Sequence, residues 1–193
     1  ERLSPNEVKS KLEKIEKQVV HMTSLLDDVI TAGRTELNKI PTNKSKVFLR
    51  VIVDKIVEDV LHASKNTHQI GLHFDTTINQ IETDEKLLRN ILINLLTNAI
   101  KFSPQYTKVN FAVKQVGKEL SFEIADNGIG IPEEDYGQLF TAFSRGSNTK
   151  SIAGTGLGLT IVKKAVDVLG GNLILKSKIN VGTTVTVVLP FTK

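Results

Sequence analysis

The sequence predicts an α+β fold, a mixed β-sheet with helices on one face, preceded by a long bundle-forming helix. Three observations carry that expectation. Residues 108–116 alternate apolar and polar side chains, and residues 119–125 read as their hairpin partner across Gly117-Lys118, the period-2 pattern of strands half buried on a core. Segments near 84–102 and 156–169 read as helices, the second ending at Gly170-Gly171, a helix-stop signal. Val8, Leu12, Ile15, Val19, Met22, Leu26 and Val29 recur at alternating steps of four and three, the heptad seam of a helix packed in a coiled coil or bundle.

In chain order, Ser4-Pro5-Asn6-Glu7 opens that first helix. Ser serves as the cap, Pro suits the first helical position, and Glu follows three residues after the cap. A single helix ahead of a globular domain has little to pack on, so partner helices from another copy or from further sequence are expected. Residues 1–35 form this unit and residues 36–45 a linker, with Gly33, Asn38, Pro41 and Asn43 marking the break. The globular domain is expected over 46–193. It opens with a short strand near 46–48, a helix near 49–64 and a strand at about 70–76, ahead of the long helix and the hairpin. A short helix after Pro132 leads into a polar stretch, 144–151, that reads as a mobile loop. Residues 173–178 and 183–189 supply two closing strands.

At 193 residues and 40% hydrophobic content the chain can bury one good core and a small appendage. No apolar run approaches the roughly 18 residues that a membrane helix needs, so this fragment is expected to make no membrane contact and to be cytoplasmic, with a membrane anchor left open for the intact protein. The absence of cysteine excludes a disulfide framework and fits a reducing compartment. The net charge of +4 rests on scattered lysines without interleaved aromatics, and nucleic acid is not an expected partner.

Three segments carry chemistry. On the 84–102 helix, Asn94 and Asn98 are four apart and Lys101 three further on, so all share one face. Carboxamide oxygens suit a hard cation such as Mg²⁺, and the lysine offers a point charge to phosphate oxygens. Taken alone, this could equally be an ordinary solvated helix face. Asp126 ends an apolar strand and enters Asn127-Gly128-Ile129-Gly130-Ile131-Pro132. A carboxylate there can accept from an exocyclic amine, and the glycines let backbone approach a flat ring closely. A simple hairpin turn needs only Asp-Asn-Gly; the continuation to Pro132 goes beyond it. Gly154-Thr155-Gly156-Leu157-Gly158 then opens an apolar helix, where backbone N–H groups and the helix N-terminus can converge on phosphate. The glycine spacing is not that of a dinucleotide fingerprint, and no G-x-x-x-x-G-K-[ST] P-loop is present.

In this order and spacing the three segments resemble the nucleotide-binding domain of sensor histidine kinases and the wider GHKL ATPase superfamily. The resemblance covers essentially the whole chain. It implies a Bergerat-type α/β sandwich over 46–193 that binds ATP and Mg²⁺. It implies Asn98 as the Mg²⁺ ligand, Asn94 and Lys101 along the phosphates, and Phe102 beside the nucleotide. Asp126, with Gly128, Gly130 and Ile131, is matched to adenine reading, supported by Thr184 or Thr186 near the last strand. Phe140 and Phe143 match the family's aromatic box and Arg145 its lid arginine, aimed at the γ-phosphate. Gly154, Thr155, Gly156, Leu157 and Gly158 match the phosphate-contacting lid.

One position separates the branches of that superfamily. In gyrase and the ninety-kilodalton chaperones, a Glu one helical turn before the Mg²⁺ Asn activates water. Asn94 stands there in this chain, and an amide takes up no proton near neutral pH. Phosphoryl transfer to protein therefore fits better than hydrolysis. The family's acceptor is a histidine followed by Glu or Asp, a pattern that none of His21, His62, His68 and His73 matches. Residues 4–34 resemble the second helix of the dimerisation and phosphotransfer hairpin. The acceptor helix is thus expected in a missing segment or a second subunit, with a response-regulator receiver domain as a further partner and a homodimer as the intact assembly. A GHKL ATPase, or a non-enzymatic, anti-sigma-type interaction module, is the rival reading.

Overall fold

The computed structural model describes residue 11, residues 42–149 and residues 152–192. It divides the chain into two units, Glu1–Lys39 and Ile40–Lys193. The heptad helix expected in the first lies outside the described residues, apart from Lys11, which is helical.

The second unit opens with β1 (Ser45–Phe48) and α1 (Leu49–Ala63), so the expected linker gives way to a strand at Ser45. Ile52, Val53, Ile56 and Val60 of α1 are buried at helical spacing. β2 (Gln69–Asp75) follows, then β3 (Gln80–Thr83), a strand absent from the sequence expectation. β3 pairs antiparallel with β1, and its Glu82 N–H donates to the Thr192 carbonyl at 3.0 Å.

α2 (Glu85–Phe102) has a side-chain cap. Asp84 Oδ1 accepts from the Leu87 N–H at 3.0 Å, while its Oδ2 accepts from the Asn43 N–H at 2.8 Å. Those bonds satisfy a carboxylate that is itself buried. Leu88, Ile91, Leu92, Leu95, Leu96 and Ala99 fill the buried side of the helix. β4 (Lys108–Val116) and β5 (Glu119–Ala125) form the expected hairpin. The segment after Pro132 is a 3₁₀ helix, Glu133–Gln138, with no buried residue. α3 (Gly158–Val168), β6 (Asn172–Lys178) and β7 (Gly182–Pro190) complete the unit.

The main sheet has five strands in the order β2-β4-β5-β7-β6. Only β2 and β4 run parallel, and the other neighbours are antiparallel. Val109, Phe111, Val113, Leu120, Phe122, Ile124, Val185, Val187 and Leu189 project from one face into a core shared with the helices. Their strand neighbours Ala112, Ser121, Glu123, Thr184 and Thr186 stand on the other face and are not buried. The sheet is mixed and helices cover one side of it, as the sequence predicts. Among the described residues no helix is long and apolar enough to cross a membrane.

Candidate nucleotide-binding site

At the end of β5, Asp126 leaves the sheet with its side chain fixed by backbone. Its Oδ1 accepts from the Gly128 N–H at 2.8 Å and from the Thr183 N–H at 3.2 Å. Among the described residues no donor is recorded for Oδ2, so one carboxylate oxygen is anchored and the other is open to a ligand. Burial pushes this carboxyl above its ordinary value of 3.8, and the two backbone donors work against that push. The turn that follows admits no bulk. A Cβ on Gly128 would strike the Phe102 carbonyl, and one on Gly130 would strike the Lys178 carbonyl, at a φ of +66° that already favours glycine.

That turn is stitched to the last turn of α2. The Ile129 N–H donates to the Phe102 carbonyl at 3.1 Å. The preceding residue, Lys101, lays its ammonium 4.7 Å from the centre of the Phe102 ring. Burial lowers the Lys101 pKa, and the nearby Arg145 guanidinium lowers it further. Two cations that repel across a half-buried space invite an anion between them. The same ammonium abuts Gly154, where a Cβ would run into it.

The polar face of α2 meets the start of α3. A Cβ on Gly158 would lie 3.0 Å from Asn94 Oδ1 and 3.6 Å from Asn98 Nδ2. Asn94 Nδ2 donates to the Asn90 carbonyl at 2.9 Å, which leaves its Oδ1 on the Gly158 side. α3 has no side-chain cap, although Thr155 Oγ1 accepts from the Leu157 N–H at 3.2 Å. The first-turn amides of α3 are thus open to an anion.

A family model described as histidine kinase-, DNA gyrase B- and HSP90-like ATPase matches residues 83–193. The chain belongs to that family. Over 189 residues it is 33% identical to the sensor histidine kinase YvrG of Bacillus subtilis, which covers 95% of this chain and 32% of that protein. The circadian input-output histidine kinase CikA of Synechococcus elongatus is 32% identical over 177 residues, 88% of this chain and 23% of that protein. The chain therefore spans about a third or less of these relatives. The crystal structure of full-length ShkA in complex with AMPPNP shares the fold, with a TM-score of 0.83 at 24% identity, over 100% of this chain and 40% of that one.

Within this ATPase domain the structure brings Asn94, Asn98, Lys101, Phe102, Asp126, Gly128, Gly130, Gly154 and Gly158 into one connected neighbourhood. Ile131 is tied in by its N–H, which donates to Ser177 Oγ at 2.9 Å. Phe140 is half-buried, and its carbonyl accepts from Thr160 Oγ1 of α3 at 3.1 Å. Phe143 is 66% exposed at a φ of +64°. Gly156 packs against the Phe143–Ser144 backbone, for a Cβ there would lie 2.6 Å from the Ser144 carbonyl oxygen and 2.7 Å from the Phe143 carbonyl carbon. Arg145 is turned to the loop, donating to the Thr149 carbonyl at 2.6 Å and to the Ile152 carbonyl.

The described part of the expected mobile loop is pinned. Asp135 Oδ2 accepts from Ser147 N–H at 2.8 Å, and Asn148 Nδ2 donates to the Gly130 carbonyl at 2.9 Å.

Of the β7 threonines, Thr184 or Thr186 is the one expected near the adenine end. Thr184 pairs with Ala125 and Thr186 with Glu123, so strand alternation turns both to the face away from the core. Thr183 is the β7 threonine beside Asp126. Its phase could have been found from Val185, Val187 and Leu189, which share its parity and are apolar. Ser177 and Tyr136 also went unforeseen, since no local sequence pattern marks them.

Proposed function

We propose that this domain binds ATP with Mg²⁺ and transfers the γ-phosphate to a histidine on a phosphoacceptor helix, for signalling to a response-regulator receiver domain. The observation that carries this reading is the pairing of Asp126, with one oxygen free, to an electropositive patch one step away through Phe102. The half-anchored carboxylate suits the exocyclic amine of adenine. Lys101, Arg145 and the uncapped start of α3 suit the phosphates. Sensor kinases among the relatives, and AMPPNP in the ShkA complex, agree with it.

Asn98, with Asn94 beside it, fits Mg²⁺. The ion accepts one or two protein oxygens and takes the rest from water and phosphate. Among the described residues no group of three or more His, Asp or Glu side chains could cage a metal instead. When bound, the ion supplies charge neutralisation at the phosphates. Asn94 cannot serve as a base, and a neutral imidazole needs none because it is itself the nucleophile. The domain's work is then to hold the phosphates in line and screen their charge. In this reading residues 4–34 form the second helix of the phosphotransfer hairpin, in a protein that functions as a homodimer.

The test is incubation with Mg²⁺ and γ-labelled ATP, with and without an added phosphoacceptor hairpin from a sensor kinase. Expected are nucleotide retention, acid-labile label on the hairpin, and little free phosphate. Rapid phosphate release would move the domain to the hydrolysing branch. Tight ATP binding with no label on any hairpin would favour an interaction module.

A further inference from the structure

Tyr136 lies outside the three motif segments, on the 3₁₀ helix after Pro132, yet its hydroxyl both donates and accepts. It donates to the Ser177 carbonyl at 2.7 Å and accepts from the Ser177 N–H at 3.1 Å. Both groups belong to β6, the outer strand of the sheet. Ser177 sits opposite Thr183, and the backbone groups of Thr183 are turned to β5, where its carbonyl accepts from the Asp126 N–H at 2.9 Å. Ser177 and Thr183 are therefore a non-hydrogen-bonded pair with side chains brought close, and the Ser177 backbone points to the open edge. The Tyr136 phenol occupies that edge.

From Ser177 the connection runs inward. Its hydroxyl donates to the Gly182 carbonyl at 3.0 Å, accepts from the Ile131 N–H at 2.9 Å and stands 2.8 Å from Thr183 Oγ1. With its own proton given to Gly182, Ser177 accepts from the Thr183 hydroxyl, which leaves the Thr183 oxygen as an acceptor. Thr183 N–H in turn holds Asp126 Oδ1. Hydrogen bonds joined through the covalent frames of Ser177 and Thr183 thus link a tyrosine at the sheet edge to the anchored oxygen of the carboxylate, and also grip Ile131 on the far side of the Asp126 turn. A shift along this path bears on the open oxygen, because among the described residues the Asp126 side chain has one further hydrogen-bond anchor, the Gly128 N–H.

We infer that Tyr136 and Ser177 are positioning residues for the adenine end of the site, holding the Asp126 carboxylate through Thr183 and the Ile131 segment through the Ser177 hydroxyl. This rests on the nucleotide reading above and adds to it which residues outside the motif segments set adenine affinity.

The test titrates the unmodified chain and the variants Tyr136→Phe, Ser177→Ala and Ser177→Thr with ADP and, separately, with adenosine, by calorimetry or ligand-detected NMR. Tyr136→Phe and Ser177→Ala are expected to lose roughly three- to tenfold in affinity, the scale of one net hydrogen bond. The loss should be equal for ADP and adenosine, since it arises at the base and not at the phosphates. Ser177→Thr keeps the hydroxyl and should restore binding, while thermal melts of all variants separate a loss of affinity from a loss of strand stability. If Ser177→Ala fails to fold, Tyr136→Phe carries the test, for it keeps the ring and removes one oxygen. Unchanged affinity in a folded Tyr136→Phe variant, or a loss confined to ADP, overturns the inference while the nucleotide reading stands. An unmodified chain that takes up neither ADP nor adenosine overturns both.

Discussion

At Asp126 the two carboxylate oxygens have different duties, and this separates folding from binding. Asn keeps an oxygen for the Gly128 and Thr183 donors but turns an amide N–H donor toward the donor amine of adenine. Asp126→Asn should therefore weaken ATP at least about tenfold, roughly 1.4 kcal/mol, and leave the fold intact. The pH linkage gives a second readout. A carboxyl whose folded pKa is raised favours the fold below its ordinary value of 3.8 and loses that contribution as pH rises through the raised value. At neutral pH the charged Asp126 is a cost, so thermal melts of the Asn variant should show no loss of stability. Lys101 has the opposite sign of shift and the same consequence. Its folded pKa is lowered, so its contribution is full above 10.5 and is lost as pH falls through the lowered value. Lys101→Met should raise the melting temperature of the nucleotide-free domain and weaken ATP. A matching loss of stability would remove the case for a lysine held ready for phosphate. In the unmodified domain, phosphate would restore the lysine proton, so ATP binding should take up protons at alkaline pH, measurable by calorimetry in buffers of different ionisation enthalpy.

Among the elements, the glycine turns test how far the site is set by close packing. Gly117 and Gly130 both have positive φ, but a Cβ at Gly117 meets nothing within 4 Å, whereas one at Gly130 enters the Lys178 carbonyl. Gly117→Ala should cost about 1 kcal/mol in chemical denaturation, the price of the left-handed backbone. Gly130→Ala should cost about 3 kcal/mol or more, since β6 must also shift. Equal costs would mean that the turn is not packed against β6. The helices and the hairpin were legible in the sequence because each has two unlike faces. The stripe Leu88, Ile91, Leu92, Leu95, Leu96 against Asn94, Asn98 and Lys101 marks both the core and the site. β3 was not legible: four residues, Gln80-Ile81-Glu82-Thr83, carry too little pattern, and they are a strand because β1 and Thr192 pair with them. The phase of the β7 threonines, by contrast, is legible in the alternation with Val185, Val187 and Leu189.

For the whole molecule, the motif segments told which residues converge, while the path from Tyr136 to Asp126 could be seen only after strands distant in sequence were laid side by side. Two of the four strand pairings in the main sheet join close neighbours. β4–β5 and β6–β7 are hairpins, whereas β5 and β7 match residues 119–125 with 184–190, the widest separation in the sheet. The Asp126–Thr183 contact sits at the end of that pairing. This has a kinetic meaning. Loops that close over a long span are slower to form than hairpins, so the adenine pocket is among the last features the chain can complete. Nucleotide uptake should then report the end of folding: in refolding from denaturant, capture of a fluorescent ADP should lag the return of secondary structure, and a chain ending before β7 should recover helix but never bind.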